Sequence, residues 1–314
     1  MKDGAAPHLA QFYLRRKELV KVSVMNSLQR LFNEKSFRVL AWASLISEIL
    51  IVATGGAVRL TASGLGCPTW PNCTPDSLVT VPEMGIHGLI EFGNRLLTLI
   101  LLAVALWFVF ASIRVRNGRK VLSTGIWLIA GIFLQALVGG ITVLTKLNPW
   151  VVGLHFVISA AMIAIASLQI WRVYEPTTTV SARAEKTLSL ALVLFGTIAI
   201  LVGIVVTGSG PHAGDYAAPR NGLDSELWQH FHSYPAYIAL AIAIFLLGKT
   251  RRRDVDGYAS RLTFWTLVVL LVQAAVGVAQ ARLGLPIGLV LLHIGLAATL
   301  AALLTLQWLA VRSK

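Results

Sequence analysis

Charged side chains are scarce in this sequence. Asp, Glu, Lys and Arg make up 13% of its 314 residues, where a soluble globular domain carries about 25%. With 56% hydrophobic residues and a mean hydropathy of +0.73, the chain has too little polar surface for a water-soluble fold. Cysteine is limited to Cys67 and Cys73, which excludes both a disulfide-dense secreted scaffold and a multi-cysteine metal site. His, Cys and carboxylate do not cluster inside the apolar stretches at zinc-ligand spacing. Residues 1–36 are polar and basic and lack the short apolar core and cleavage site of a secretory signal, so no cleaved leader is expected. Met25 offers an alternative start.

What the chain does have is apolar length. A helix needs roughly 20 apolar residues to cross the hydrocarbon layer. About eight such stretches are present, at 38–58, 88–113, 122–144, 150–171, 187–208, 230–248, 262–281 and 287–310. Gly, Pro and charged clusters fall between them, where backbone can be solvated. The sequence therefore predicts an all-α integral membrane protein of about eight transmembrane helices.

The net charge of +13 invites a nucleic-acid partner, and its distribution argues against one. Basic residues gather before the first span (Arg15, Arg16, Lys17, Lys21, Arg30, Lys35, Arg38). They recur after every second span, at Arg114–Lys120, at Arg172–Lys186, at Lys249–Arg261 and at the C-terminus. The opposite side has only Arg59, Lys146, Arg220 and Arg282. This is the positive-inside asymmetry, and it predicts a multi-pass protein of the plasma membrane with both termini cytoplasmic and lipid, not nucleic acid, around it.

The third and fourth spans resemble the seventh and eighth. LQALVGGITVLTKLNPWVVGLHFVISA, around Gln135 and His155, matches VQAAVGVAQARLGLPIGLVLLHIGLAAT, around Gln273 and His293. A fainter likeness joins GGAVRLTASGLG to GIVVTGSGPHAG. Repeats of this length indicate duplication of a four-helix unit. An even number of spans per unit gives both units the same orientation, related by an axis along the membrane normal. The expected organisation is a tail (1–36), a first four-helix half (37–174), a linker (175–186) and a second half (187–314), two pseudosymmetric four-helix bundles able to hold a cofactor.

Five of the seven histidines fall near the outer ends of even-numbered spans: His87, His155, His230, His232 and His293. An ionisable group there is costly unless it faces the interior and has a partner. One such histidine is as often a helix–helix hydrogen bonder as a ligand. The same arrangement in both halves favours pairs of axial ligands for haem iron. His230 and His232, two apart on one helix, cannot both point inward; His232 is preferred and His230 is the alternative.

His87, Glu91 and Asn94 are spaced by four and three, so they share one face of the second span, with Arg95 beside them. A carboxylate one turn from a ligand candidate can hold a proton or stabilise developing positive charge. A Glu91–Arg95 ion pair along the helix is the structural alternative. Cys67 and Cys73 lie in the first outer loop, where a disulfide persists, as a structural staple or a redox pair. Arg59, Arg95, Arg220 and Arg282 are candidates for charge-assisted bonds to haem propionates.

TGGAVRLTASGLGCPTWPNC, HGLIEFGNR and the two Gln–His helix pairs together resemble the bacterial haem A synthases, over roughly residues 38–310. The resemblance implies two pseudosymmetric four-helix halves. It also implies oxidation of the C8 methyl of haem O to a formyl group, giving haem A for cytochrome c oxidase. Haem b would be the electron-transfer cofactor of the C-terminal half, and the substrate haem O would occupy the N-terminal half. Glu91 falls on the family's essential carboxylate, His155, His232 and His293 on its histidines, and Cys67 and Cys73 on its first-loop pair. Partners implied are haem O, haem O synthase and cytochrome c oxidase assembly factors. One departure is clear: where the pattern has Glu-x-x-His-Arg, this chain has Asn94. That leaves His87 or Asn94 to face the substrate iron opposite His155, with Arg95 beside the substrate. A two-haem cytochrome b passing electrons from quinol, and a small-solute transporter, are the competing readings.

The charge pattern makes a topological prediction. Alkaline phosphatase fused after residue 314 stays inactive, while fusion within the loop at Asp215 gives an active enzyme; the reverse pattern would invert the topology.

Overall fold

The computed structural model describes residues 34–115, 118–176, 183–253 and 257–312. Met25 and most of the predicted tail, and residues 177–182 of the predicted linker, lie outside the described residues. Eight helices are long and apolar enough to cross a membrane. They are α1 (Glu34–Leu60), α2 (Gly85–Arg114), α3 (Leu122–Leu144), α4 (Pro149–Tyr174), α5 (Arg183–Ser209), α6 (Ser225–Arg253), α7 (Tyr258–Arg282) and α8 (Ile287–Arg312). Among the described residues the only β-type pairing is an isolated bridge between Thr74 and Ser77.

The helices mostly outrun the apolar stretches that announce them, because the backbone ladder continues past the hydrocarbon boundary, where water or a capping side chain can satisfy its ends. α6 differs most: its apolar run begins near residue 230, while the helix begins at Ser225. Asp224 starts it there, its Oδ1 accepting the backbone N–H groups of Glu226 (2.8 Å) and Leu227 (3.0 Å). At α4, Asn148 accepts from Trp150 N (3.0 Å) and Pro149 takes the first position, where its missing N–H costs nothing.

α1 packs on α2 and α4, α2 on α3, and α3 on α4; α5 to α8 touch one another in the corresponding pairs. The two sets meet where α4 contacts α5 and α8, and where α8 contacts α1. Phe37, Leu45, Phe108, Leu128, Ile132 and Ile163 fill the first set, and Phe37 stacks on Phe108 at 4.9 Å. Leu192, Leu246, Leu270, Leu300 and Leu304 fill the second. Lipid offers no hydrophobic drive to bring helices together, so close packing over small residues must do it. A Cβ at Gly196 of α5 would stand 2.6 Å from Leu304 of α8, and one at Gly131 of α3 would stand 3.0 Å from Met162 of α4. Large apolar residues such as Trp127 and Phe245 point outward, as a lipid-facing surface requires.

At one end the connections 61–84 and 210–224 are knitted together. Arg59 donates through Nε to His212 O and through a terminal nitrogen to Thr207 O, both at 2.7 Å. Gly64 N donates to Gly214 O at 2.7 Å, and Gly214 holds a φ of 98° that favours glycine. Leu147, Ala213 and Ala218 form a small apolar cluster beneath. This is the disulfide end of the molecule. Trp70, from the same loop, lies flat on α3: a Cβ at Gly140 would stand 2.4 Å from its ring.

Gly140→Ala should therefore lower the thermal midpoint of the detergent-solubilised protein, by an overpacking penalty of about 1–3 kcal/mol. Gly248→Ala, with open space around it, should leave the midpoint unchanged or raise it. Equal effects at both positions would contradict the packing described.

Candidate functional site

The second set of helices brings His232 of α6 and His293 of α8 face to face, with ring centres 6.1 Å apart and planes at 74°. His232 Nδ1 lies 2.8 Å from Ala199 O on α5. A carbonyl only accepts, so Nδ1 carries the proton and Nε2 keeps its lone pair, the arrangement that second-shell partners impose on ligating histidines. Both rings are half-buried and crowd glycines: a Cβ at Gly203 would meet His232 Cε1 at 2.9 Å, and one at Gly277 would meet His293 Cε1 at 3.3 Å. His230, on the same helix, is exposed.

The first set repeats part of this. Gln135 Nε2 donates to His155 O at 3.1 Å, as Gln273 Nε2 donates to His293 O at 3.2 Å. A Cβ at Gly139 would stand 3.3 Å from His155 Cε1, the value found for Gly277 and His293. His155 Nδ1 and His293 Nδ1 are both buried without a hydrogen-bond partner. The Gln–Gly–His unit is thus the same piece of local structure in both halves.

α2 supplies the differences. Glu91 is 6% exposed, and its carboxylate accepts from Cys67 N at 2.6 Å and from Arg95 at 2.6 and 3.2 Å. Arg95 also donates to the carbonyls of Cys67 (3.1 Å), Thr69 (3.2 Å) and Asn72 (3.3 Å). Cys67 and Cys73 are joined by a disulfide and fully buried. The ion pair along the helix is therefore present, and it clamps the disulfide loop to α2. Asn94, one turn on, has a buried Oδ1 without a partner. His87 lies at the start of α2, exposed, its Nδ1 2.9 Å from Ser63 Oγ, facing an outer cleft shared with Pro68, Met84 and Tyr216.

The arginines named as propionate candidates divide. Arg59, Arg95 and Arg220 are engaged with backbone carbonyls, Arg220 with those of Ala218 and Pro211, while Arg282 is exposed. Among the buried polar residues that the sequence does not announce as site candidates, three stand out. Glu48 of α1 is 4% exposed, and Gln169 and Gln307 are fully buried with neither amide atom partnered. Each left a signal: Glu48 is the sole acid within the first apolar stretch, and the two glutamines occupy matching positions of the repeat.

The facing rings of His232 and His293, with His232 Nε2 keeping its lone pair, fit a flat, metal-centred macrocycle. With metal–nitrogen bonds of about 2 Å, two imidazoles flanking one iron have ring centres roughly 6 Å apart. The fold and site define an all-helical, multi-span membrane protein with one facing histidine pair, His232 and His293, of a spacing suited to haem.

Comparison with known proteins narrows this. The chain matches the COX15-CtaA family, described as cytochrome oxidase assembly protein, over residues 38–84 and 78–305. It belongs to that family. It is 27% identical over 307 residues to a heme A synthase of Listeria monocytogenes (serovar 1/2a), spanning 90% of this chain and 97% of that protein. Shorter matches are to the heme A synthases of Lysinibacillus sphaericus, 34% identical over 112 residues (35% of this chain, 36% of that protein), and Geobacillus kaustophilus, 31% over 127 residues (39% and 38%).

Arg95→Ala removes the donors to three loop carbonyls and leaves Glu91 with one partner. It should cost about 3 kcal/mol, as for other broken buried pairs, and make the Cys67–Cys73 disulfide reducible at lower dithiothreitol concentration. An unchanged thermal midpoint and reduction profile would show that the clamp is idle.

Proposed function

We propose that this protein is a haem A synthase, an oxidoreductase that converts the C8 methyl of haem O into the formyl group of haem A for cytochrome c oxidase. The observation that carries the reading is the repeated Gln–Gly–His unit set beside a single acidic, disulfide-tied helix end, in a chain of the COX15-CtaA family. The overall change is two hydroxylations of one methyl with loss of water, dioxygen being the oxidant.

In the C-terminal half (187–314), His232 and His293 would hold haem b, which would supply electron transfer. His232 is fixed for this by Ala199 O, and the backbone of His293 by Gln273. The N-terminal half (37–174) would take haem O, with His155 positioned to hold its iron and Gln135 steadying the turn that carries His155. Glu91 is the catalytic group. Three donors hold its carboxylate at a fixed position, from which it accepts a proton or stabilises positive charge arising at the substrate carbon. Arg95 and the disulfide loop position Glu91 and close that end of the bundle. Both termini lie in the cytoplasm and the site faces the outer leaflet of the plasma membrane, where haem O synthase and oxidase assembly factors are the partners. A two-haem cytochrome b explains the histidine pairs but gives Glu91 and the disulfide loop no task.

Co-expression with a haem O synthase, followed by analysis of extracted haems, tests the proposal. The wild type should yield haem A or its hydroxymethyl precursor, and Glu91→Ala should reduce the yield by about 100-fold or more, the usual scale for a general acid–base group. Absence of both products in the wild type, or an undiminished yield in Glu91→Ala, would refute it.

A further inference from the structure

The second, third and fourth helices of the two halves share one register. The step along the chain that carries Gln135 onto Gln273 and His155 onto His293 also carries the ends of α4, Pro149 and Tyr174, onto the ends of α8, Ile287 and Arg312. The register therefore holds without a gap through that region. Applied to α2 and α6, the same step carries Asn94 onto His232 and Glu91 onto Gln229.

The side-chain surroundings agree. On α5, a Cβ at Gly203 would meet the His232 ring; on α1, a Cβ at Gly55 would find Asn94 Nδ2 as its nearest neighbour, at 4.0 Å. Each glycine lies near the disulfide end of the first helix of its half, facing the same position of the second helix. Asn94 Oδ1 is buried and unpartnered, and so is His155 Nδ1. His87 stands nearly two turns further along α2, toward the loop, engaged with Ser63.

We infer that Asn94 occupies the position at which the second half places an axial ligand, so that a haem in the first half is held by His155 alone. Its other face then opens on the Asn94 carboxamide. This rests on the haem-binding reading above and deepens it. A carboxamide offers two N–H donors and a carbonyl acceptor, and it does not replace imidazole as an iron ligand. It suits hydrogen bonding to a small ligand on the metal, dioxygen or water, and polar groups on that face decide whether such a ligand binds. The first half is accordingly the ligand-binding site and the second, with both imidazoles, the electron-transfer site. The asymmetry is written in one residue.

Carbon monoxide is the probe, applied to the reduced full-length chain purified after co-expression with haem O synthase. About half of the bound haem should be high-spin and bind CO, and the remainder should stay low-spin and unreactive. Asn94→His should convert the reactive population to low-spin and bring the CO-binding fraction close to zero. Asn94→Ala should keep that fraction but shift the stretching frequency of bound CO, since the amide donor is gone. If Asn94→His does not accumulate, His232→Asn supplies the converse test, making nearly all the haem CO-reactive. Wild-type haem that is wholly low-spin and inert to CO would overturn the inference, and CO reactivity emerging only in His87→Ala would assign the ligand to His87 instead. A purified chain with no Soret band would overturn the haem reading itself, a result distinct from either.

Discussion

An imidazole or amide nitrogen inside a bundle of apolar helices has no water to turn to, and the architecture follows from how this chain meets that constraint. His232 is answered by a backbone carbonyl of α5, and the carbonyls of His155 and His293 are answered by Gln135 and Gln273. These bonds tie α6 to α5, α3 to α4 and α7 to α8 at matching places. What they leave over is equally informative. Nδ1 of His155 and of His293, one oxygen each of Gln135 and Gln273, and Asn94 Oδ1 are buried without partners. These unpaired polar atoms sit beside the histidines in both sets of helices, and the glycines next to the rings leave room for the imidazoles themselves.

The sequence repeat recurs in the structure as the two Gln–Gly–His units, and the helices around them differ. The second half has Gln229 and Ser233 where the first has Glu91 and Arg95, and no cysteine in its corresponding loop. The first half has Asn94 where the second has His232. These differences leave the first half with a fixed carboxylate and an amide where the second half has a neutral amide and an imidazole. The disulfide loop belongs with the carboxylate, because Glu91 and Arg95 grip its backbone at four points.

Much of this was legible in the sequence. Eight apolar stretches, spaced by charge, predict eight helices because hydropathy and helix length obey the same bilayer thickness. The Gln–His spacing revealed the repeat, and the carboxylate at Glu91 stood out as an expense. Helix ends such as Ser225 were not visible in hydropathy, since a polar cap sets them. The grip of Arg95 on the carbonyls of Cys67, Thr69 and Asn72 was also invisible, because backbone acceptors leave no mark in residue identity. The burial of Glu48, Gln169 and Gln307 depends on which face of each helix meets a neighbour, and these weakly amphipathic helices do not declare that. The choice between His230 and His232, open to a spacing argument, turns on the rotation of α6, which places His232 alone opposite His293.

The central claim is that each half of the chain houses its own haem through its own histidine. Haem-to-protein stoichiometry of the chain purified after co-expression with haem O synthase, measured beside His155→Ala and His293→Ala, tests it most directly. The account predicts two haems per wild-type chain and one in each variant, with the low-spin spectrum lost only in His293→Ala. A single haem in the wild type, or loss of the same haem in both variants, would contradict it.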